Sequence, residues 1–347
     1  MKRIFFVLPV LFLLFSACEK SSDNPSPDNG PDTVKLTMGA GYINDVYYKL
    51  DSGVVATVAR NTWDIAFHIS TMGATILTND GNNVVLYAYP DGDTTAWKTI
   101  SASNMGTWKA LYNSDTTWTM GAFEHNAKGH PDYGWGVYNS ASHDVVGDSL
   151  FVIKLNGGQL KKLWIHRKYS TQNIYKITYA NLDGTDSITQ LIDCKPYTAK
   201  NFVYYSLTSN SVVDREPAKD KWDFVLTKYM VLIPAGPQVM AQTVTGILTN
   251  TMRLSTMGVV SYTGVRAAKL ENADQTTTDY SSAHFSTSIS TIGYDWKDAV
   301  SYTPPTYTVK DDRVYFIKRP DGSVYKIYFV AFDASSGVAS FVEQKLN

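Results

Sequence analysis

Two cysteines, Cys18 and Cys194, are all the thiols in a chain of 347 residues. At most one intrachain disulfide could form, and zinc or iron–sulfur sites built from several thiolates are excluded. Charge of one sign is equally scarce: 31 Lys plus Arg stand against 32 Asp plus Glu, for a net charge of −1. A basic footprint for nucleic acid or for an anionic membrane surface is therefore missing. The chain also lacks a G-x-S-x-G elbow, an H-E-x-x-H helix, a Walker loop, a dinucleotide fingerprint and an Asp-x-Asp-x-Asp-Gly calcium loop. Binding is expected of it, not catalysis.

What is present points to strands. Hydrophobic residues make up 44% of the chain, including 23 Tyr, 14 Phe and 8 Trp. Long stretches of Leu, Glu, Lys and Ala at helical spacing are missing, so an all-β, mainly antiparallel fold is expected.

The first residues read as an export signal. Lys2 and Arg3 precede an apolar run from Ile4 to Phe15 that is too short to span a membrane comfortably as a mature helix. The run ends in Leu14-Phe15-Ser16-Ala17-Cys18, with small residues just before the cysteine, as in a lipobox. Residues 1–17 are thus expected to be a lipoprotein signal peptide and Cys18 the lipidated first residue of the mature chain. The expected location is the outer membrane, facing the cell surface, with lipid as the only membrane contact. Residues 18–33, polar and interrupted by Pro25, Pro27 and Pro31, read as a tether. With Cys18 carrying lipid, Cys194 is the only thiol left, and packing alone must stabilise the fold.

The remainder contains an internal repeat. Val46-Tyr47-Tyr48-Lys49-Leu50-Asp51-Ser52 returns as Val203-Tyr204-Tyr205-Ser206-Leu207-Thr208-Ser209, and Trp63-Asp64 returns as Trp222-Asp223. A second block, Phe151-Val152-Ile153-Lys154 with Gly158 and Lys162, returns as Tyr315-Phe316-Ile317-Lys318 with Gly322 and Lys326 at a constant offset of 164. The expected division is residues 34–190 and 191–347, each a normal domain length. The second block reads as a hairpin turning on Asn156-Gly157-Gly158 in one copy and Pro320-Asp321-Gly322 in the other. Trp63, Ile65 and Phe67 alternate with Asp64 and Ala66, which makes the Trp-Asp element a strand with a core tryptophan.

These blocks resemble the HmuY family of haem-binding surface lipoproteins. The likeness rests on Trp63-Asp64-Ile65-Ala66-Phe67 with Thr78-Asn79-Asp80-Gly81 in the first half. In the second half it rests on Ile292-Gly293-Tyr294-Asp295-Trp296-Lys297, Val314 to Lys318, and Asp321 to Lys326. Each copy departs somewhere: Gly134-Trp135-Gly136 stands where the second has Asp295-Trp296-Lys297, and Leu226-Thr227-Lys228 replaces Phe67-His68-Ile69. The resemblance implies two tandem, mostly-β domains that each clamp one haem between loops, with two axial side chains, His or in some relatives Met, on the iron. It also implies haem or a haemoprotein as partner, and leaves room for an outer-membrane haem receptor.

His, Met and Tyr are the candidate axial donors, ranked by position in the repeat. An offset of 159, that of Trp63 to Trp222, carries His125 onto His284, and both lie in irregular segments where binding residues tend to sit. His143 is the second candidate, with Tyr307 as its counterpart at the offset of 164. Met120, Met252 and Met257 follow as second choices, since Met more often fills cores. His68 and His166 are expected on sheet surfaces. A different class of function also fits: a surface adhesion module whose tryptophans and tyrosines stack on a glycan or a neighbouring protein.

Overall fold

A computed structural model describes residues 33–256, 259–277 and 279–347. The expected signal peptide, Cys18, the tether up to residue 32, and Met257 lie outside the described residues. Among those described, 25 strands and seven short 3-10 turns occur and no α-helix. Every strand pairing is antiparallel, as the composition predicts.

The second sequence block forms the hairpins expected of it. Leu150–Lys154 pairs with Leu160–Tyr169, and Arg313–Lys318 pairs with Val324–Asp333. Gly158 and Gly322 close the two turns at φ +87° and +91°, where an L side chain is disfavoured. Each hairpin anchors a larger sheet. The first runs Ile188–Asp193, Ile174–Asn181, Leu160–Tyr169, Leu150–Lys154, Val85–Ala88; the second runs Thr33–Thr37, Val338–Lys345, Val324–Asp333, Arg313–Lys318, Arg266–Glu271.

The edge strand Thr33–Thr37 thus closes a sheet made from the far end of the chain. The same exchange recurs in two smaller sheets. Asn44–Lys49 pairs with Phe224–Ala235, and Phe202–Ser206 pairs with Ile65–His68. Thr33–Thr37 and Asn44–Lys49 from the first repeat therefore complete the second, and Phe202–Ser206 from the second completes the first. Two cores result. One gathers Ile65, Phe67, Trp135, Phe151 and Tyr175 with Val203, Tyr205 and Leu207. The other gathers Phe224, Trp296, Tyr315 and Phe341 with Leu36, Met38, Val46, Tyr48 and Leu50. We call these the N-lobe and the C-lobe. Hydrogen-bonded strands cross the expected line between residues 190 and 191, and the described residues from Thr33 on form one compact unit.

The Trp-Asp strand is buried on both faces, which period-two alternation did not foretell. Ile65 and Phe67 face the N-lobe core, while Trp63 and Ala66 face a second cluster with Leu77, Phe202 and Tyr204. A small acidic residue survives there because it is fully employed. Asp64 Oδ2 accepts the Leu207 N–H at 2.7 Å, and its own N–H donates to Tyr205 O at 2.9 Å. Asp223 repeats both bonds in the C-lobe, to Leu50 N–H at 3.0 Å and to Tyr48 O at 2.8 Å. Trp63 meets Tyr204 edge-on at 4.9 Å and 85°, and Trp222 meets Tyr47 at 5.0 Å and 83°.

Candidate functional site

Six histidines divide by environment. His68 is buried in Ile65–His68 against Phe202, not on a sheet surface. Burial, with Lys168 and Lys219 nearby, lowers its pKa to about 3, so the ring is neutral at ordinary pH. Gly73 packs on its Nδ1 side, where a Cβ would collide with the ring. His166 lies on Trp164 with ring centroids 3.8 Å apart, its Nε2 is 2.7 Å from Thr178 Oγ1, and burial lowers it to about 4. Both rings are absorbed by the sheet.

The other three N-lobe histidines hang on one segment that covers the core face of the large sheet. It begins at Gly121, whose N–H donates to Glu124 Oε2 at 2.7 Å while Ile76 N–H donates to Oε1 at 2.9 Å. This carboxyl ties the segment to the strand Ile76–Thr78. His125 follows directly, half-buried, and burial followed by Lys109 lowers its pKa. The chain then passes exposed His130 and reaches Trp135, fully buried, whose indole N–H donates to Ala74 O at 3.0 Å. Gly134, at φ +79°, lets the backbone pass within 2.8 Å, measured from an ideal Cβ, of Phe123 O.

After Trp135 comes a hairpin, Gly136–Tyr138 with Val145–Gly147. Asn139 Oδ1 accepts from Ala141 and Ser142 N–H in its turn, and the His143 N–H donates to Asn139 O at 2.8 Å. His143 is exposed, held at φ +59°, and its Nδ1 is 2.6 Å from the Tyr138 hydroxyl. The His130 ring lies 5.0 Å from the Tyr138 ring, with His143 at 6.1 Å. The structure therefore gathers His130 and His143 around Tyr138. Neither His130 nor Tyr138 is among the candidates read from the sequence, although the offset of 164 carries Tyr138 onto Tyr302 and His130 onto Tyr294.

A separate cleft of about 540 Å³ is lined by Pro90, Asp91, Trp108, Lys109 and Asn126 among others; Asn126 follows His125 in the chain, and His125 itself is not in the lining. Trp108 stands edge-on to Tyr89 at 5.7 Å.

The C-lobe candidates separate. Trp296 is fully buried like Trp135, and a hairpin, Lys297–Tyr302 with Pro305–Val309, follows it as one follows Trp135. Tyr307 is on that hairpin, 5.2 Å from the Phe332 ring on the core face. His284 is exposed on a loop whose Phe285 and Tyr280 pack with Val314 and Phe316. Val314 and Phe316 alternate along their strand with Tyr315 and Ile317 of the core, so His284 and Tyr307 lie on opposite faces of the sheet. His125 and His284 are not structural counterparts either. Lys162 Nζ donates to Trp97 O at 2.9 Å and Lys326 Nζ to Gln275 O at 3.0 Å, which matches the His284 loop to the loop holding Trp97. Met252 is buried among Trp63, Phe202 and Tyr204, and Met120 is exposed.

The family model described as HmuY protein matches residues 198–343. The HmuY resemblance is thereby shown for that stretch. The match opens on Phe202–Ser206 and Ser211–Val213, strands that complete the N-lobe, so the HmuY segment contributes to both lobes. No curated protein and no solved structure matches the chain.

Proposed function

We propose that this chain is an exported, lipid-anchored haem-binding protein, built from two diverged HmuY-like copies, which captures and hands on haem without catalysis. The observation that carries the reading is the HmuY match over residues 198–343. The anchor is Cys18, exposed by removal of residues 1–17, and the expected partner for release is an outer-membrane haem receptor.

The side chains suited to the cargo are in the N-lobe. Haem, when bound, supplies an iron whose axial positions take imidazole, thioether or phenolate donors. His143 suits that role because the Tyr138 hydroxyl holds its Nδ1, which fixes the ring and leaves Nε2 free. His130, with its ring 5.0 Å from the same phenol ring, is the other imidazole of this cluster. Asn126, the residue after His125, lines a cleft within the several-hundred-Å³ range of cofactor sites. There Trp108 offers an aromatic wall and Lys109 a cation for a carboxylate. The C-lobe contributes His284 as its one histidine, with Tyr307, and these two cannot serve one iron from opposite sheet faces without rearrangement.

The test is a titration of the full detergent-solubilised chain with haem. A saturable Soret band with low-spin visible bands is expected, and a featureless titration would overturn the reading. In cells, Cys18→Ser should move the protein out of the membrane fraction; retention there would remove the lipid anchor.

A further inference from the structure

The hairpin Phe224–Ala235 with Gln238–Thr249 is longer than the sheet that holds it. Among the described residues Asn44–Lys49 pairs only with Phe224, Val225 and Leu226, so the two strands run on past it as a ribbon. Its base is packed: Tyr229, Val231, Val244 and Leu248 join Trp222 and Ile289, and Gly81 lies against Lys228 O. Beyond the base the packing stops. Leu232 and every residue from Pro234 to Ala241 are exposed.

The composition of this tip is not that of a solvated loop. No residue from Tyr229 to Met252 is charged, and from Met230 to Ala241 the only polar side chain is Gln238. Leu232, Val239 and Met240 are 46, 64 and 53% exposed. Contiguous exposed apolar surface marks a contact site. Two other hairpins expose valines, Val259 and Val300, but Arg253 and Asp298 stand on them. At the tip Pro234 and Pro237 also lack backbone N–H groups, which lowers the cost of leaving water.

The place of the tip in the chain says what covers it. The ribbon leaves the sheet beside Asn44, whose N–H donates to Met38 O at 3.0 Å, and Lys228 Nζ lies 5.9 Å from the Tyr42 ring centroid. The strand Thr33–Thr37 therefore ends at the base of the ribbon. From Lys228 to Ala235 the ribbon projects about 24 Å, and Thr33 is about 17 Å of strand from Met38. Residues 18–32 reach at most about 50 Å, enough for Cys18 and the tip to meet one bilayer. We propose that the tip of this hairpin, Leu232 to Ala241, dips into the phospholipid surface to which Cys18 is anchored, a second and reversible contact that sets how the protein stands on the membrane. A ribbon with unpaired edges cannot enter hydrocarbon, so the tip goes no deeper than the boundary between headgroups and acyl chains. Such a contact holds less strongly than a lone acyl chain, itself a marginal anchor, so Cys18→Ser still leaves the membrane fraction. Placement at the anchored surface rests on the lipid-anchor reading of Cys18; the affinity of the tip for lipid does not.

The experiment uses the full chain with Cys18→Ser and Met240→Cys, labelled at position 240 with an environment-sensitive fluorophore; Cys194 is buried and escapes the label. Phosphatidylcholine vesicles are titrated in, with and without a bilayer-borne quencher. A saturable blue shift with quenching is expected, unchanged by added phosphatidylglycerol or by high salt, since the tip carries no charge. The same label at Ser209→Cys, on an exposed N-lobe turn, should stay unshifted. Leu232→Gln with Val239→Gln should weaken the response at least tenfold and keep the melting temperature, since both side chains face solvent. No saturable shift, equal quenching at positions 240 and 209, or an undiminished response in the glutamine variant would overturn the proposal. So would a blue shift that grows with protein concentration in the absence of lipid, which would make a second copy the occupant. The labelled chain bears no lipid, so its failure leaves the lipid-anchor reading standing, and failure of the anchor in fractionation leaves this titration unaffected.

Discussion

Asp64 and Asp223 share one role: each caps the backbone N–H of a leucine that arrives from the other repeat, Leu207 for Asp64 and Leu50 for Asp223, which also meets Arg319 Nε at 3.3 Å. A carboxylate accepting a buried N–H contributes more than a neutral bond, and its loss strands the donor. Asp64→Ala and Asp223→Ala should therefore each cost about 1–3 kcal/mol in denaturant melts. The double variant should lose roughly the sum, because the two sites share no partner. A loss confined to one variant would mean that the exchange is held from one side only.

The Arg215–Asp45 pair gives a sharper expectation. Both side chains are 5% exposed, and each comes from the repeat whose strands have crossed over. Removing one partner leaves an uncompensated buried charge, so Arg215→Met should destabilise by about 3–5 kcal/mol. Arg215→Met combined with Asp45→Asn should recover much of that loss, because no charge is then left alone. Equal stability of the single and double variants would show that the guanidinium acts through its stacking on Trp63 and Tyr204 instead.

How much of this could be read beforehand depends on the kind of signal. The hairpins at Gly158 and Gly322 and the core tryptophans Trp63 and Trp222 were legible, because turn glycines and large aromatics act locally. The exchange was not. Val46-Tyr47-Tyr48 and Val203-Tyr204-Tyr205 are alike enough to pair with either Trp-Asp strand, and likeness does not say which. The offset joining His125 to His284 misled for a related reason. The loops between the matched blocks differ in length, so a constant offset carried across them lands on a different loop. Tyr138 and His130 were harder to read, since their meeting is made by the bond from the Tyr138 N–H to Pro131 O at 2.8 Å, a loop contact that periodicity does not mark.

His68 ties stability to acid. Its folded pKa, about 3, is below the ordinary histidine value of 6.5, so between those values the unfolded chain binds the additional proton. Stability from the neutral ring is present above pH 6.5 and is lost as pH falls toward 3. Melting curves of the wild type and of His68→Leu, recorded from pH 7 to pH 4, should show the wild type losing ground steadily as the solution is acidified. Parallel curves would mean that the ring escapes protonation in both states or is solvated in the fold.

The haem reading makes its strongest demand on His143. If its Nε2 ligates iron, Nδ1–H must donate to the Tyr138 oxygen, and the present 2.6 Å contact already has the geometry for it. His143→Ala should then abolish the low-spin spectrum without unfolding the protein, because an exposed turn residue contributes little to stability. Tyr138→Phe should keep the spectrum but weaken affinity by about 10–100-fold, the usual cost of losing the group that orients a ligand. His130→Ala and His125→Ala decide the opposite donor, since the first ring shares the Tyr138 cluster and the second precedes Asn126, which lines the cleft with Lys109. His284→Ala should leave the N-lobe spectrum intact, because that side chain is on the outer face of the C-lobe sheet. The reverse outcome, with His284→Ala abolishing the signal and His143→Ala leaving it whole, would place the iron in the C-lobe and remove the Tyr138 cluster from the site.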